Sequence, residues 1–517
     1  MKALGIRERI LSDDLLKRVY IYSFICGILA HGSVMTKAIF WHDGLKGAYH
    51  VSVNGAMKLG RWLRAFLAHI VASMFGGANP SLPVLYGAIS FFFIAASAYV
   101  IIRLFDIENK SLQLILCGMM VSFPAVTSTF GYMFTAPYYF LGLFLSTIAV
   151  LAARRWPGAG GFLAGALCLC CSLGIYQAYI SVSASLFVML LIFDIINDRY
   201  PSVSRFLGNA FYYLGILIVG FVAYYGIWKV CLRVTGVAAS DYQGVSSMGS
   251  MDINAYLAGI RSAYEKFFLL NLNGRDNLYP MGLKTAQIIA IGLGIACSVG
   301  LIVSQLRKNV LFGIALVLLI AMLPICFNMM YVIGANAVHT VMLYGQCMLY
   351  VYLICVMMHA IRKGTRLGIG CYRLTAMALL ILVGMNIFFD NGCYMKAELM
   401  LQQSINSMNV LVARIKMLDG YSDDMRVCIV PLGEQDATTE KNARLQDFSV
   451  MPWNKLTLYG NKLAVNNAKA ILSKWCGFTP KYVSYAKFGH KKAIKKMPSY
   501  PDDGSIEIID GTVVVRM

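Results

Sequence analysis

The stretch VLYGAISFFFIAASAYVIIRL, Val84–Leu104, holds one charged residue, Arg103, and that residue stands at its end. About 20 apolar residues in a row is the length at which a helix crosses the hydrocarbon core of a bilayer. The same pattern recurs outward in both directions. It predicts spans at Val19–Phe40, Val84–Leu104, Leu112–Phe130, Pro137–Leu151, Gly161–Gly174 and Ile180–Ile196. It predicts further spans at Phe206–Val230, Ala286–Leu306, Val310–Phe327, Thr340–His359 and Leu374–Phe389. Composition agrees. The 517 residues are 58% hydrophobic and 14% charged, whereas a soluble domain is about a quarter charged. The expected fold is an α-helical polytopic membrane protein with about 11 transmembrane helices. No small-residue cleavage pattern follows the first apolar run, so that run is expected to remain as an anchoring helix.

The net charge of +20 has a topological reading before any other. Cytoplasmic loops of membrane proteins are rich in Lys and Arg. Alternate connections carry Arg103 and Lys110, Arg154 and Arg155, Arg199 and Arg205, Arg307 and Lys308, then Arg362, Lys363, Arg366 and Arg373. With the basic N-terminus, these mark one side as cytoplasmic. We therefore expect a cytoplasmic segment 1–18 and a transmembrane domain 19–389, with outer loops 41–83 and 231–284. An extracytoplasmic domain 390–517 follows. No nucleic-acid partner is called for. The inner loops are short and lack a phosphate-binding glycine loop, which places any chemistry outside or within the membrane. The 14 cysteines mostly lie in apolar runs, such as Cys168, Cys170 and Cys171, and read as small hydrophobes. Neither a metal site nor a disulfide framework is inferred.

The C-terminal domain reads as a small α+β module. An amphipathic helix is expected at Tyr394–Leu418, a strand at Val427–Leu432 and a helix at Val465–Trp475. Asp510-Gly511 between two β-branched runs is a hairpin signal. The stretch Lys481–Lys496 is basic and suits a solvated face or an anionic surface.

The first outer loop holds the most informative cluster. His42-Asp43 follows the first span at once, and Lys46, Lys58, Gly60-Arg61-Trp62 and Arg64 come after it. Met57, Trp62, Phe66, Ile70 and Met74 recur at helical spacing, with Arg61 and Ala65 on another face. Such a helix suits the membrane interface. Arg binds phosphate through paired N–H groups and stays charged there, and an acid nearby can take a proton from a hydroxyl. Head-group contact is the plainer use of the same cations. Tyr176-Gln177 stands where a span meets the outside. In the second outer loop, Arg275 can serve a phosphate or pair with Glu265 or Asp276.

The order of these features resembles a family. An acid just after the first span, Gly60-Arg61-Trp62 on an outer helix, Tyr176-Gln177 at a helix end and a tail running from Tyr500-Pro501 to Asp510-Gly511-Thr512-Val513-Val514-Val515 are similar to the polytopic O-antigen glucosyltransferases of serotype-converting phages and their bacterial relatives. The resemblance implies a GT-C-like enzyme of a bacterial inner membrane, N-terminus cytoplasmic and C-terminus outside. It implies a polyprenyl-phosphate sugar, such as undecaprenyl-phosphate glucose, as donor and a surface polysaccharide as acceptor. Membrane lipid and the synthase and flippase that supply the donor would be its partners. Asp43 matches the family's essential acid and is the expected general base of an inverting transfer. Many relatives have two adjacent acids there, and this chain has His42 in place of the first. Arg61, Lys58, Arg64, Trp62 and Arg275 are expected on the donor's lipid phosphate. His42, Tyr176 and Gln177 are expected on sugar or acceptor. No metal and no cofactor is expected. The competing functions are a lipid-linked glycan flippase or transporter, and a polysaccharide polymerase or ligase. The absence of an inverted repeat speaks against a transporter.

Overall fold

The computed structural model describes residues 13–37, 39, 44–45, 53–76, 81–240, 252–269, 281–333, 338–364, 366–431, 462–487 and 492–517. The chain divides into two units, Met1–Lys37 with His50–Asn391 and Ala38–Tyr49 with Gly392–Met517.

The first unit is helical. Helix α1 (Asp14–Thr36) starts on Asp13, whose carboxylate accepts from the Leu15 and Leu16 amides at 3.0 and 3.2 Å. Then come α2 (Val53–Lys58), α3 (Trp62–Met74), α4 (Pro83–Leu104), α5 (Lys110–Ser122) and α6 (Pro124–Phe130). Four helices follow closely: α7 (Ala136–Arg155), α8 (Ala159–Ile175), α9 (Ile180–Ile196) and α10 (Val203–Thr235). The rest are α11 (Ile253–Leu269), α12 (Met281–Lys308), α13 (Val310–Phe327), α14 (Met329–Ile333), α15 (Met348–Lys363) and α16 (Arg366–Lys416). Nine helical stretches among the described residues are long and apolar enough to cross a membrane, and the bent α5–α6 pair makes ten. Helix α8 is shorter, at 17 residues. It still joins the end of the bundle where α7 finishes to the end where α9 begins.

The segment 112–130 is where the expectation of one continuous span fails. Pro124 has no N–H to give and disfavours a helical residue before it. Phe123 accordingly turns extended, with ψ 135°, and the two pieces meet at a 40° bend. The break frees backbone carbonyls in a region where water cannot serve them. Side chains from elsewhere do so. His31 Nε2 lies 2.9 Å from the Val121 oxygen. The Tyr344 hydroxyl donates to Met120 at 2.8 Å, and the Cys347 thiol to Met119 at 3.9 Å. Asp390, fully buried on α16, accepts from Thr127 on α6 at 2.5 Å. Asn391 donates to the Leu29 carbonyl of α1 at 2.8 Å.

One end of the bundle is tied together by ion pairs. Arg154 at the end of α7 holds Asp194 of α9 at 2.7 Å, and Arg199 reaches the same carboxylate at 3.1 Å. Arg199 also reaches Asp106, Lys308 pairs with Asp198, and Arg362 pairs with Glu108. Arg103 pairs with Asp13 at 2.7 Å. The five basic connections picked out in the sequence thus gather at one end.

The second unit is a three-stranded sheet with helices on both faces. Strands β1 (Arg426–Val430), β2 (Ile506–Ile509) and β3 (Thr512–Arg516) lie in the order β1-β3-β2. β1 runs parallel to β3, with Val427 opposite Val513, and β2 runs antiparallel to it. The turn between β2 and β3 uses left-handed backbone at Asp510 (φ 49°) and Gly511 (φ 67°), as a two-residue hairpin of this kind requires. Successive residues face opposite sides. Val427, Ile429, Val513 and Val515 pack with Met408 and Leu411 of α16 and with Ile471 and Leu472 of α17 (Lys462–Lys474). Cys428, Val430 and Val514 pack with Ile494 of α18 (Lys492–Lys496) and with Met497. Leu45, from the first loop, is buried in the same core. Helix α16 is continuous over 51 residues, where separate helices at Leu374–Phe389 and Tyr394–Leu418 were expected.

The two kinds of ion pair at the bundle end differ in burial, and stability measurements can separate them. Asp194 is 3% exposed, so Asp194→Ala strands Arg154 and should cost roughly 3–5 kcal/mol. Lys308 is half exposed, and Lys308→Ala should cost less than about 1 kcal/mol. Thermal unfolding of the purified protein in detergent reads both; equal losses would refute the assignment.

Candidate active site

At the other end of the bundle, a tight turn joins α2 to α3. The Gly60 amide donates to Met57 at 3.1 Å and the Arg61 amide to Ala56 at 3.0 Å. Gly60 has φ +74°, which favours glycine. Space demands glycine as well. A Cβ there would run into the Tyr224 hydroxyl and lie 2.7 Å from Gln177 Nε2. The two groups that crowd it also brace it. Gln177 Nε2 donates to the Leu59 carbonyl at 2.6 Å and to the Tyr224 hydroxyl at 2.8 Å. Trp228 Nε1 donates to the Met57 carbonyl at 2.8 Å. Gly60-Arg61-Trp62 and Tyr176-Gln177, far apart in sequence, therefore form one cluster.

The turn aims Arg61 at a pair of tyrosines. The rings of Tyr139 and Tyr176 stack at 4.3 Å with 6° between planes. Arg61 donates to the Tyr139 hydroxyl at 2.8 Å, and its guanidinium carbon lies 4.9 Å from the Tyr176 ring centre. Arg64, buried one turn on, stands 6.0 Å over Tyr139. A cation over an aromatic face away from water gains up to about 2 kcal/mol. Two guanidinium groups are held close together on a rigid platform. Tyr139 is about 22 Å along α7 from Arg154, at 1.5 Å per residue, so the platform lies at the end away from the ion-pair network.

The interfacial helix expected from Met57 to Met74 is broken at Gly60 into α2 and α3, and its second part is α3. It buries Arg64, Ala65 and Ala68 and exposes Phe66, Ile70 and Met74. Trp62 departs from the expected apolar face and turns inward over Gly174, where a Cβ would come within 2.5 Å of its ring. Lys58 is exposed beside the turn. Tyr176 is buried, and both N–H groups of the Gln177 amide are engaged within the protein, so these two residues hold Arg61 in place. Asp43, His42 and Arg275 lie outside the described residues. Glu265 pairs with Arg261 at 2.7 Å, one turn away on α11. Tyr139, Tyr224 and Trp228 complete the cluster and were missed in the sequence, where each looks like an ordinary aromatic of a membrane helix.

Gly76 offers a control for the turn, since it too has positive φ (+66°) but nothing within 4 Å of an added Cβ. Gly76→Ala should cost only the backbone strain, about 1–2 kcal/mol. Gly60→Ala adds a collision and should lower stability and activity further. Comparable effects in unfolding and transfer assays would show that the bracing is unimportant.

A comparison with protein families matches glucosyl transferase GtrII over residues 32–361. Comparisons with curated proteins and with solved structures give no match. The matched region is well over half of the chain and contains the whole cluster around Arg61. Apolar helices and the match over most of the chain point one way: the chain belongs to the glucosyl transferase GtrII family of membrane glycosyltransferases.

Proposed function

We propose that this protein transfers a sugar, glucose, from a polyprenyl-phosphate carrier to a cell-surface polysaccharide on the extracytoplasmic side of a bacterial inner membrane. The observation that carries this reading is the pair Arg61 and Arg64 on the Tyr139–Tyr176 platform, at the bundle end away from the basic loops. By the positive-inside rule that end is extracytoplasmic. With α8 counted, eleven segments cross the membrane, and residues 390–517 are assigned to the extracytoplasmic side.

A sugar linked to a lipid phosphate leaves behind a phosphate with growing negative charge. Preorganised donors at that position lower the barrier most effectively. Arg61 and Arg64 supply that stabilisation without a metal or cofactor. The acceptor hydroxyl oxygen attacks the anomeric carbon as the bond from that carbon to the phosphate oxygen breaks. The bonding pair leaves with the phosphate, and the hydroxyl proton passes to Asp43. Attack from the face opposite the leaving group inverts the anomeric centre. Trp62, Tyr176 and Gln177 act as positioning residues, and His42 and Arg275 are assigned to the acceptor and the phosphate.

Transfer of labelled sugar from a synthetic polyprenyl-phosphate sugar panel to envelope glycan tests this reading. Asp43→Asn should cut the rate by about 10²–10⁴-fold, the usual contribution of a general base. Arg61→Gln should lower kcat by about 10²-fold or more. Transfer by wild type that Asp43→Asn leaves intact would remove Asp43 from the mechanism. Failure with every donor would favour the flippase or polymerase.

A further inference from the structure

Three more cations stand beside the Arg61 platform. Lys58 is exposed at the end of α2, and Lys229 and Arg233 are exposed on the last two turns of α10. The packing fixes them in one patch. Trp228 and Leu232, the residues just before Lys229 and Arg233, both contact α2 or its neighbours: Trp228 bonds the Met57 carbonyl, and Leu232 packs with Ala56, Met57 and Ala65. The Ser240 amide donates to the Lys58 carbonyl at 3.1 Å. The Lys229 ammonium rests over the Tyr225 and Trp228 rings at 5.1 and 5.7 Å. None of the three makes an ion pair among the described residues. They lie at the end of the bundle where the positive-inside rule gives cations no topological work.

Depth and surroundings say what such a patch meets. Helix α10 has 33 residues, about 50 Å at 1.5 Å per residue, against a hydrocarbon core of about 30 Å. Its last turns therefore extend into the head-group layer. The same stretch exposes Val230 and Val234, at 58% and 81%. Such a surface faces acyl chains and their boundary, so an approaching anion arrives on a lipid. The charge count agrees. A sugar phosphodiester carries one negative charge, which Arg61 and Arg64 already exceed, so the outer three serve capture and not the reaction.

We infer that Lys58, Lys229 and Arg233 form a lateral entry portal, at which a phosphate-headed polyprenyl lipid docks from the adjacent leaflet before it reaches Arg61. The inference rests on the lipid-phosphate donor proposed above. Cations ringing a site raise the local concentration of an anionic substrate and its on-rate, and salt screens the effect.

The test uses the full-length protein in detergent micelles with radiolabelled undecaprenyl phosphate as probe. The double substitution Lys229→Gln, Arg233→Gln is on the exposed surface and should fold normally. It should slow probe association about 10-fold at low salt and flatten its salt dependence. KM for the sugar-loaded donor should rise by a similar factor, with kcat within about twofold. Equimolar phosphatidylglycerol should fail to displace the probe from wild type. Unchanged association and KM would overturn the portal, and so would displacement by phosphatidylglycerol, which would mark an ordinary lipid seat. If wild type binds no undecaprenyl phosphate at all, the donor assignment itself fails.

Discussion

A polypeptide inside hydrocarbon has no water to satisfy its backbone, and this chain breaks a helix there. The break at Phe123-Pro124 frees the carbonyls around Met119, Met120 and Val121, and three side chains answer: Cys347, Tyr344 and His31. Their residues come from opposite ends of the membrane unit's sequence. Satisfying one defect thus draws α1 and the turn before α15 onto α5, and Asp390 on α16 secures α6 through Thr127. Each of these partners is costly to leave unpaired in a dry interior, so the arrangement is strongly specified.

The same packing leads to the site. His31 lies edge-on to Phe130 at 4.8 Å, Phe130 to Phe140 at 6.0 Å, and Phe140 to Tyr344 at 6.4 Å. Tyr344 meets Tyr179 at 6.1 Å, and Tyr179 meets Tyr176 at 5.6 Å. Tyr176 is half of the platform under Arg61. Rings locked by contacts on several sides cannot drift, and a guanidinium seated on them is oriented before any substrate arrives. Preorganisation of this kind lets a cation meet a developing charge without first being reoriented.

Much of this was legible in the residues. The apolar runs located the nine helical stretches that, among the described residues, are long and apolar enough to cross a membrane, because about 20 apolar residues have few other uses. The basic connections correctly grouped one end, because those Lys and Arg find carboxylates on neighbouring loops. Gly60-Arg61-Trp62 and Tyr176-Gln177 were singled out, but their meeting was not foreseen. Spacing along one chain says nothing of which helix ends adjoin. Tyr139 and Tyr224 stayed hidden for a similar reason, since interface tyrosines are common in membrane proteins. The bend at Pro124 had a visible cause, but proline is tolerated in membrane helices when neighbours supply partners. Whether they do is a property of the packed bundle alone.

The extent of the family match raises a last point about how the parts depend on each other. It ends at residue 361, before the sheet of the second unit begins. Yet that unit includes residues from inside the match, Ala38–Tyr49. Leu45 is completely buried in its core among residues of α16, α17 and the sheet, and Lys474 donates to the Leu45 carbonyl. Asp43 stands two residues before Leu45. Leu45 is thus held by residues that follow the matched region. The core that buries Leu45 therefore draws on chain from inside the family match and from beyond it.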